Sequence, residues 1–144
     1  MNGEQKKYYG QLKNKNRDIV RKKNRENNIL LQECLTALGA NKLILSADKQ
    51  EEIISGFNKR VAALQNADKR EIDSIQALLS EWPEKIYVIW DEVDLPVIQT
   101  DLVCIIGCED DIKAVAFETW IVSDNMDKFI QFSSNDKIIE YVME

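Results

Sequence analysis

Residues 79–90 read LSEWPEKIYVIW, and a change of period inside this stretch decides the fold. Up to Trp82 the apolar positions recur at three and four. Ile72, Ile75, Leu79 and Trp82 make one helical stripe, which Pro83 stops. From Ile86 to Trp90 the residues are β-branched or aromatic without a break, so 86–90 predicts a strand.

Upstream, the helical spacing continues. Ile53, Phe57, Val61 and Leu64 form a stripe in a helix opening near Ser46, with Asp48 and Glu51 at capping-box spacing. Asp68 and Glu71 repeat that spacing at the head of the helix that ends at Trp82. Residues 4–38 also read as helical, through Tyr8, Leu12, Ile19, Leu30, Leu31, Cys34, Leu35 and Leu38. Their stripe lapses at RKKNRENN (21–28), and Gly39 stands in the capping position.

Downstream the period is two. KAVAFETWIV (113–122) reads as a strand with Val115, Phe117, Thr119 and Ile121 on one face and Ala114, Ala116, Glu118, Trp120 and Val122 on the other. DKFIQFS (127–133) and DKIIEYVM (136–143) read as two more strands, joined by a turn over 133–136. VIQTDLVCIIGC (97–108) fits a strand or a helix. The Thr100-Asp101 pair with Leu102, Ile105 and Ile106 favours a short helix. The expected fold class is α+β, with N-terminal helices packed on a C-terminal antiparallel sheet of about four strands. One domain over 1–144 is expected, helical over 1–83 and mainly β over 84–144.

A chain of 144 residues can bury roughly 70% of its unfolded surface, enough for one core. It contains no histidine, which removes the commonest general base and metal ligand. The chemistry therefore points to a binder, with no catalytic residues, no metal and no cofactor expected. Cys34, Cys104 and Cys108 read as small buried hydrophobes. No apolar run approaches the roughly 18 residues of a membrane span, and MNGEQKKYYGQLKNKNR (1–17) carries no apolar leader core. The expected location is the cytoplasm, without membrane contact.

Charge is unevenly placed. Residues 1–30 hold nine Lys/Arg against three acids, whereas 71–144 hold 17 Asp/Glu against four Lys. An acidic body repels nucleic acid and attracts basic partners. The acids gather at expected element ends: Asp91, Glu92 and Asp94 after the first strand, Glu109, Asp110 and Asp111 before the next, Asp124 and Asp127 after it. Solvated surface acid is the plainer reading of each group. Glu118 interrupts an apolar strand beside Trp120. With Gln131 and Glu140 it would form a polar row across the outward face, as a binding surface or as a carboxylate pair of glycosidase type.

YVIWDEVDLPVI (87–98) and DDIKAVAFETWIVSDNMDKFIQFSSNDKI (110–138) resemble small bacterial immunity proteins, including those of contact-dependent growth-inhibition systems. The resemblance lies in the order of a strand ending in Trp-Asp, an acidic turn, a strand carrying Glu118-Thr119-Trp120, and a terminal hairpin. It covers about 86–140. It implies a cytosolic protein that binds and blocks a cognate toxin domain. The acidic body fits a basic nuclease as that toxin, with Asp91, Glu92, Asp94, Glu109, Asp110, Asp111, Glu118, Trp120, Asp124 and Asp127 as expected contacts. Trp90 is a second candidate for the aromatic anchor. The alternative is a regulatory or adaptor protein whose basic helices, around 13–25, hold nucleic acid or an acidic partner.

Overall fold

A computed structural model describes residues 29–83, 85–91, 95–116, 118–133 and 137–143. A helix over 29–38 (α1) ends at Gly39, whose φ of 65° is the left-handed conformation that glycine adopts without strain. Strand β1 (Leu43–Ile44) and helix α2 (Ala47–Val61) follow. Then come β2 (Asp68–Ile72), β3 (Lys85–Trp90), β4 (Ile98–Asp101), helices α3 (Leu102–Gly107) and α4 (Glu109–Ala114), and β5 (Thr119–Ser123), β6 (Lys128–Phe132) and β7 (Ile138–Val142). The class is α+β, as expected.

The sheet is larger than expected. Seven strands, every neighbouring pair antiparallel, run in the order β1-β4-β3-β5-β6-β7-β2. The helices are not gathered at the N-terminus either, since α3 and α4 fall between β4 and β5. The basic stretch 13–25 and the helix expected from residue 4 onward lie outside the described residues, apart from 29–38.

Three local expectations are overturned. Residues 68–82 were expected to form one helix. They form the edge strand β2 and a 3-10 turn, Ile75–Leu78, because pairing with β7 satisfies the backbone and lets Arg70 reach Glu140. Ile75, Leu78 and Trp82 still bury their side chains, but Leu79 stays exposed. Residues 113–122 divide into the end of α4 and the strand β5. The three acids 109–111 therefore stand in the first turn of a helix, where they complement its dipole, with Lys113 paired to Glu109 at 3.5 Å. The cap of α2 is Ser46, whose hydroxyl accepts from Lys49 N–H, not Asp48. For 97–108 both readings hold in part. Strand β4 ends at Asp101, which then caps α3 by accepting from Cys104 N–H at 2.8 Å.

Register assigns the two faces. Val88, Ile121, Ile130, Glu140 and Arg70 share a row, as do Trp90, Thr119, Phe132, Ile138 and Ile72; this face meets α1, α3, α4 and the 3-10 turn. Ile89, Trp120, Gln131, Ile139 and Glu71 form a row on the opposite face, beside Tyr87, Val122, Phe129, Tyr141 and Lys69. There α2 packs through Ile53 and Phe57.

Candidate functional site

The face under α2 is covered unevenly. Phe57 sits over Trp120 at 5.4 Å and Phe129 at 6.1 Å, which buries the β5 side of that face. Beyond Trp120, Gln131 and Ile139 are only half-buried, and Glu71 is exposed on β2. Glu118, immediately before β5, is half-buried at the same end of the sheet.

A hydrogen-bonded chain crosses this open part. The Tyr141 hydroxyl donates to Gln131 Oε1 at 3.0 Å, and Gln131 Nε2 donates to Glu118 Oε1. An ionised carboxylate only accepts, so the amide turns its NH₂ to Glu118 and leaves Oε1 for the phenol. Beneath the chain, the Trp120 and Tyr141 rings pack at 5.8 Å, tilted by 35°, and Lys69 Nζ lies 5.9 Å over the Tyr141 ring. Burial, then the Glu118 charge, pushes the Tyr141 phenol up, so it stays a donor through the neutral range.

The polar row expected from sequence is therefore corrected at one member. Gln131 pairs in register with Ile139, and Ile130 with Glu140, so Glu140 projects through the other face. There it is 2% exposed. Its Oε1 accepts from Arg70 Nε at 2.6 Å and its Oε2 from Trp82 Nε1 at 2.9 Å. Glu118 and Glu140 stand on opposite sides of the sheet and cannot act on one bond, so the lesser alternative, a carboxylate pair, does not form. Ile139 takes its place in register, and Tyr141, paired with Phe129, reaches Gln131 diagonally through its hydroxyl.

The expected contact residues fall in three regions. Asp91 closes one sheet end with Glu118: Asp91 N–H donates to Glu118 O, and Glu118 N–H to Asp91 Oδ1 at 3.2 Å. Glu92 and Asp94 lie outside the described residues. Asp124 and Asp127 occupy the turn at the far end of β5. Asp127 Oδ1 and Asn125 Oδ1 both lie within hydrogen-bond distance of the buried Ser123 hydroxyl, and Met126 between them has φ 59°. Six residues of extended chain separate Glu118 from Asp124, about 20 Å. Asp110 and Asp111 point outward from α4 on the other face. Asp111 lines a shallow cavity of 560 Å³ with Ile29, Gln32, Glu33 and Thr36. The described carboxylates thus do not gather into one patch. Trp90 and Trp120 are both buried, and Trp90 Nε1 donates to Ile112 O, tying α4 to the sheet.

The cysteines behave as packing groups. Burial pushes the Cys34 thiol up to about 12 and the Cys108 thiol up to about 11, and neither is a thiolate at neutral pH. Among the described residues no group of three or more Cys, Asp or Glu is placed to hold a metal ion, and no helix is long and apolar enough to cross a membrane.

Residues 28–141 match the model of the family described as CdiI immunity protein EcoliA0-like. No curated protein matches the chain.

Proposed function

The chain belongs to the CdiI family of immunity proteins, whose role is to neutralise a toxin, and from that premise we propose that it blocks a basic nuclease domain through carboxylates of its C-terminal half, Glu118 foremost. The observation that carries this reading is the half-covered sheet face at the Asp91–Glu118 end. There a carboxylate, an amide and a phenol are already hydrogen-bonded over an aromatic floor. Asp91 and Glu118 are the contacts assigned to that end, with the buried Trp120 as their floor; Glu92 and Asp94, outside the described residues, are proposed as contacts from the sequence alone. Glu109, Asp110, Asp111, Asp124 and Asp127, placed elsewhere, act through the long-range field.

In this reading the protein transforms nothing. It occupies the surface that grips phosphates, and its charge raises the rate of encounter so that the toxin is captured before it acts. Both partners meet in the cytoplasm. Measuring association with the purified cognate toxin domain across ionic strength tests the reading. The complex should form, protect cells on co-expression, and associate about tenfold or more slowly as salt rises from low to physiological. A stable complex whose on-rate ignores salt would leave immunity standing and remove the basic partner.

A further inference from the structure

An exposed glutamate ordinarily samples several rotamers, and freezing one costs conformational entropy when a partner binds. Glu118 has met part of that cost within the fold. Its backbone is fixed on both sides by Asp91, through N–H to Oδ1 and through C=O to Asp91 N–H. Its Oε1 is held by Gln131, whose amide is oriented in turn by the Tyr141 hydroxyl. Tyr141 is 9% exposed, packed against Trp120, so the far end of the chain is anchored in the core.

The charge is nevertheless unmatched. Among the described residues no Lys or Arg forms an ion pair with Glu118, and its Oε2 carries no hydrogen bond. Lys69, three strands away on β2, is placed over the ring of Tyr141. Gln131 is neutral, so it orients the carboxylate without neutralising it. The contrast with Glu140 on the opposite face is direct: there both oxygens are taken, one by a guanidinium, and the group is sealed.

We infer that Glu118 receives a basic side chain of the toxin domain, a guanidinium or an ammonium, with Gln131 and Tyr141 as its positioning residues. The inference rests on the immunity reading and names the contact within it. A preorganised acceptor strengthens a complex mainly by slowing dissociation, because less ordering remains to be done on binding.

The test uses the full chain with its purified toxin domain and compares dissociation rates for wild type, E118Q, E118D, Y141F and the E118Q/Y141F pair. E118Q should dissociate about tenfold or more faster, the expected scale for losing one side of a close charge pair at an interface. E118D keeps the charge but withdraws it from the Gln131 amide, and should lose severalfold. Y141F keeps the packed ring, and should also lose severalfold. Added to E118Q it should change nothing more, since Tyr141 acts only through the carboxylate. Unaltered dissociation in E118Q overturns the inference, and so does Y141F costing as much without the Glu118 charge as with it. Wild type that fails to bind the toxin domain at all would overturn the immunity reading itself. Thermal unfolding of each variant separates a folding loss from a contact loss.

Discussion

Glu140 is the residue whose setting departs most from its type. A carboxylate in the middle of a strand reads as solvent-facing, yet here it is among the most buried polar groups of the chain. It is sustained because Trp82 and Arg70 supply one donor to each oxygen. Trp82→Phe keeps an aromatic ring in place but leaves one oxygen of a buried charge without a donor. That should cost about 2 kcal/mol, against about 1 kcal/mol for Trp90→Phe, where a neutral carbonyl loses one of two donors and keeps Val115 N–H. Urea unfolding of the two variants measures the difference. Equal losses would mean that the ring volume, not the charge, sets the cost. The sequence reading found Glu118, Gln131 and Trp120 but not Tyr141, and parity explains why. Gln131 pairs with Ile139, and side chains alternate along a strand, so 139 and 141, not 140, lie on the face of Gln131. Knowing that register beforehand would have exchanged Glu140 for Tyr141.

Elements were legible where local chemistry and tertiary pairing agree. The strand at 86–90, the helix opening near Ser46, the glycine end of α1 and the terminal hairpin all carry their own signals: β-branched runs, a capping hydroxyl, a left-handed glycine and turn residues. They failed where long-range pairing selects the state. Asp68-Lys69-Arg70-Glu71 has the composition of a helix start, and nothing nearby reveals that β7 lies beside it. Once it is an edge strand, that row of charges also discourages a further strand from adding there. KAVAFETWIV is alternating on paper, but Glu109, Asp110 and Asp111 before it favour a helix start that carries on through Ala114. Asp101 is the hinge between two states, closing β4 and opening α3. Asp101→Ala should lower stability by about 1 kcal/mol, whereas Asp101→Asn, an equally good cap, should be nearly neutral. A thermal midpoint that falls alike in both would show that the charge and not the cap matters.

At the scale of the whole molecule, the net charge and the candidate contact separate. The described acids of the C-terminal half include ones at both ends of the sheet and on α4, so a partner seated on the Asp91–Glu118 end cannot touch them all. Distant charges act through the field, which screening weakens over about 10 Å at ordinary salt, whereas a desolvated contact acts at short range and is screened much less. The two should therefore register in different rate constants. Asp124, exposed at the far end of β5, sits about 20 Å along the strand direction from Glu118. Asp124→Lys should slow association with the toxin domain about two- to fivefold at low ionic strength, lose that effect at high salt, and leave dissociation unchanged. Stopped-flow association and surface-based dissociation of the full chain would read the two constants apart. If Asp124→Lys instead speeds dissociation while variants of Glu118 do not, the toxin sits on the opposite end of the sheet, at the Ser123–Lys128 turn. The open face with its Tyr141–Gln131–Glu118 chain would then be surface that the partner never meets.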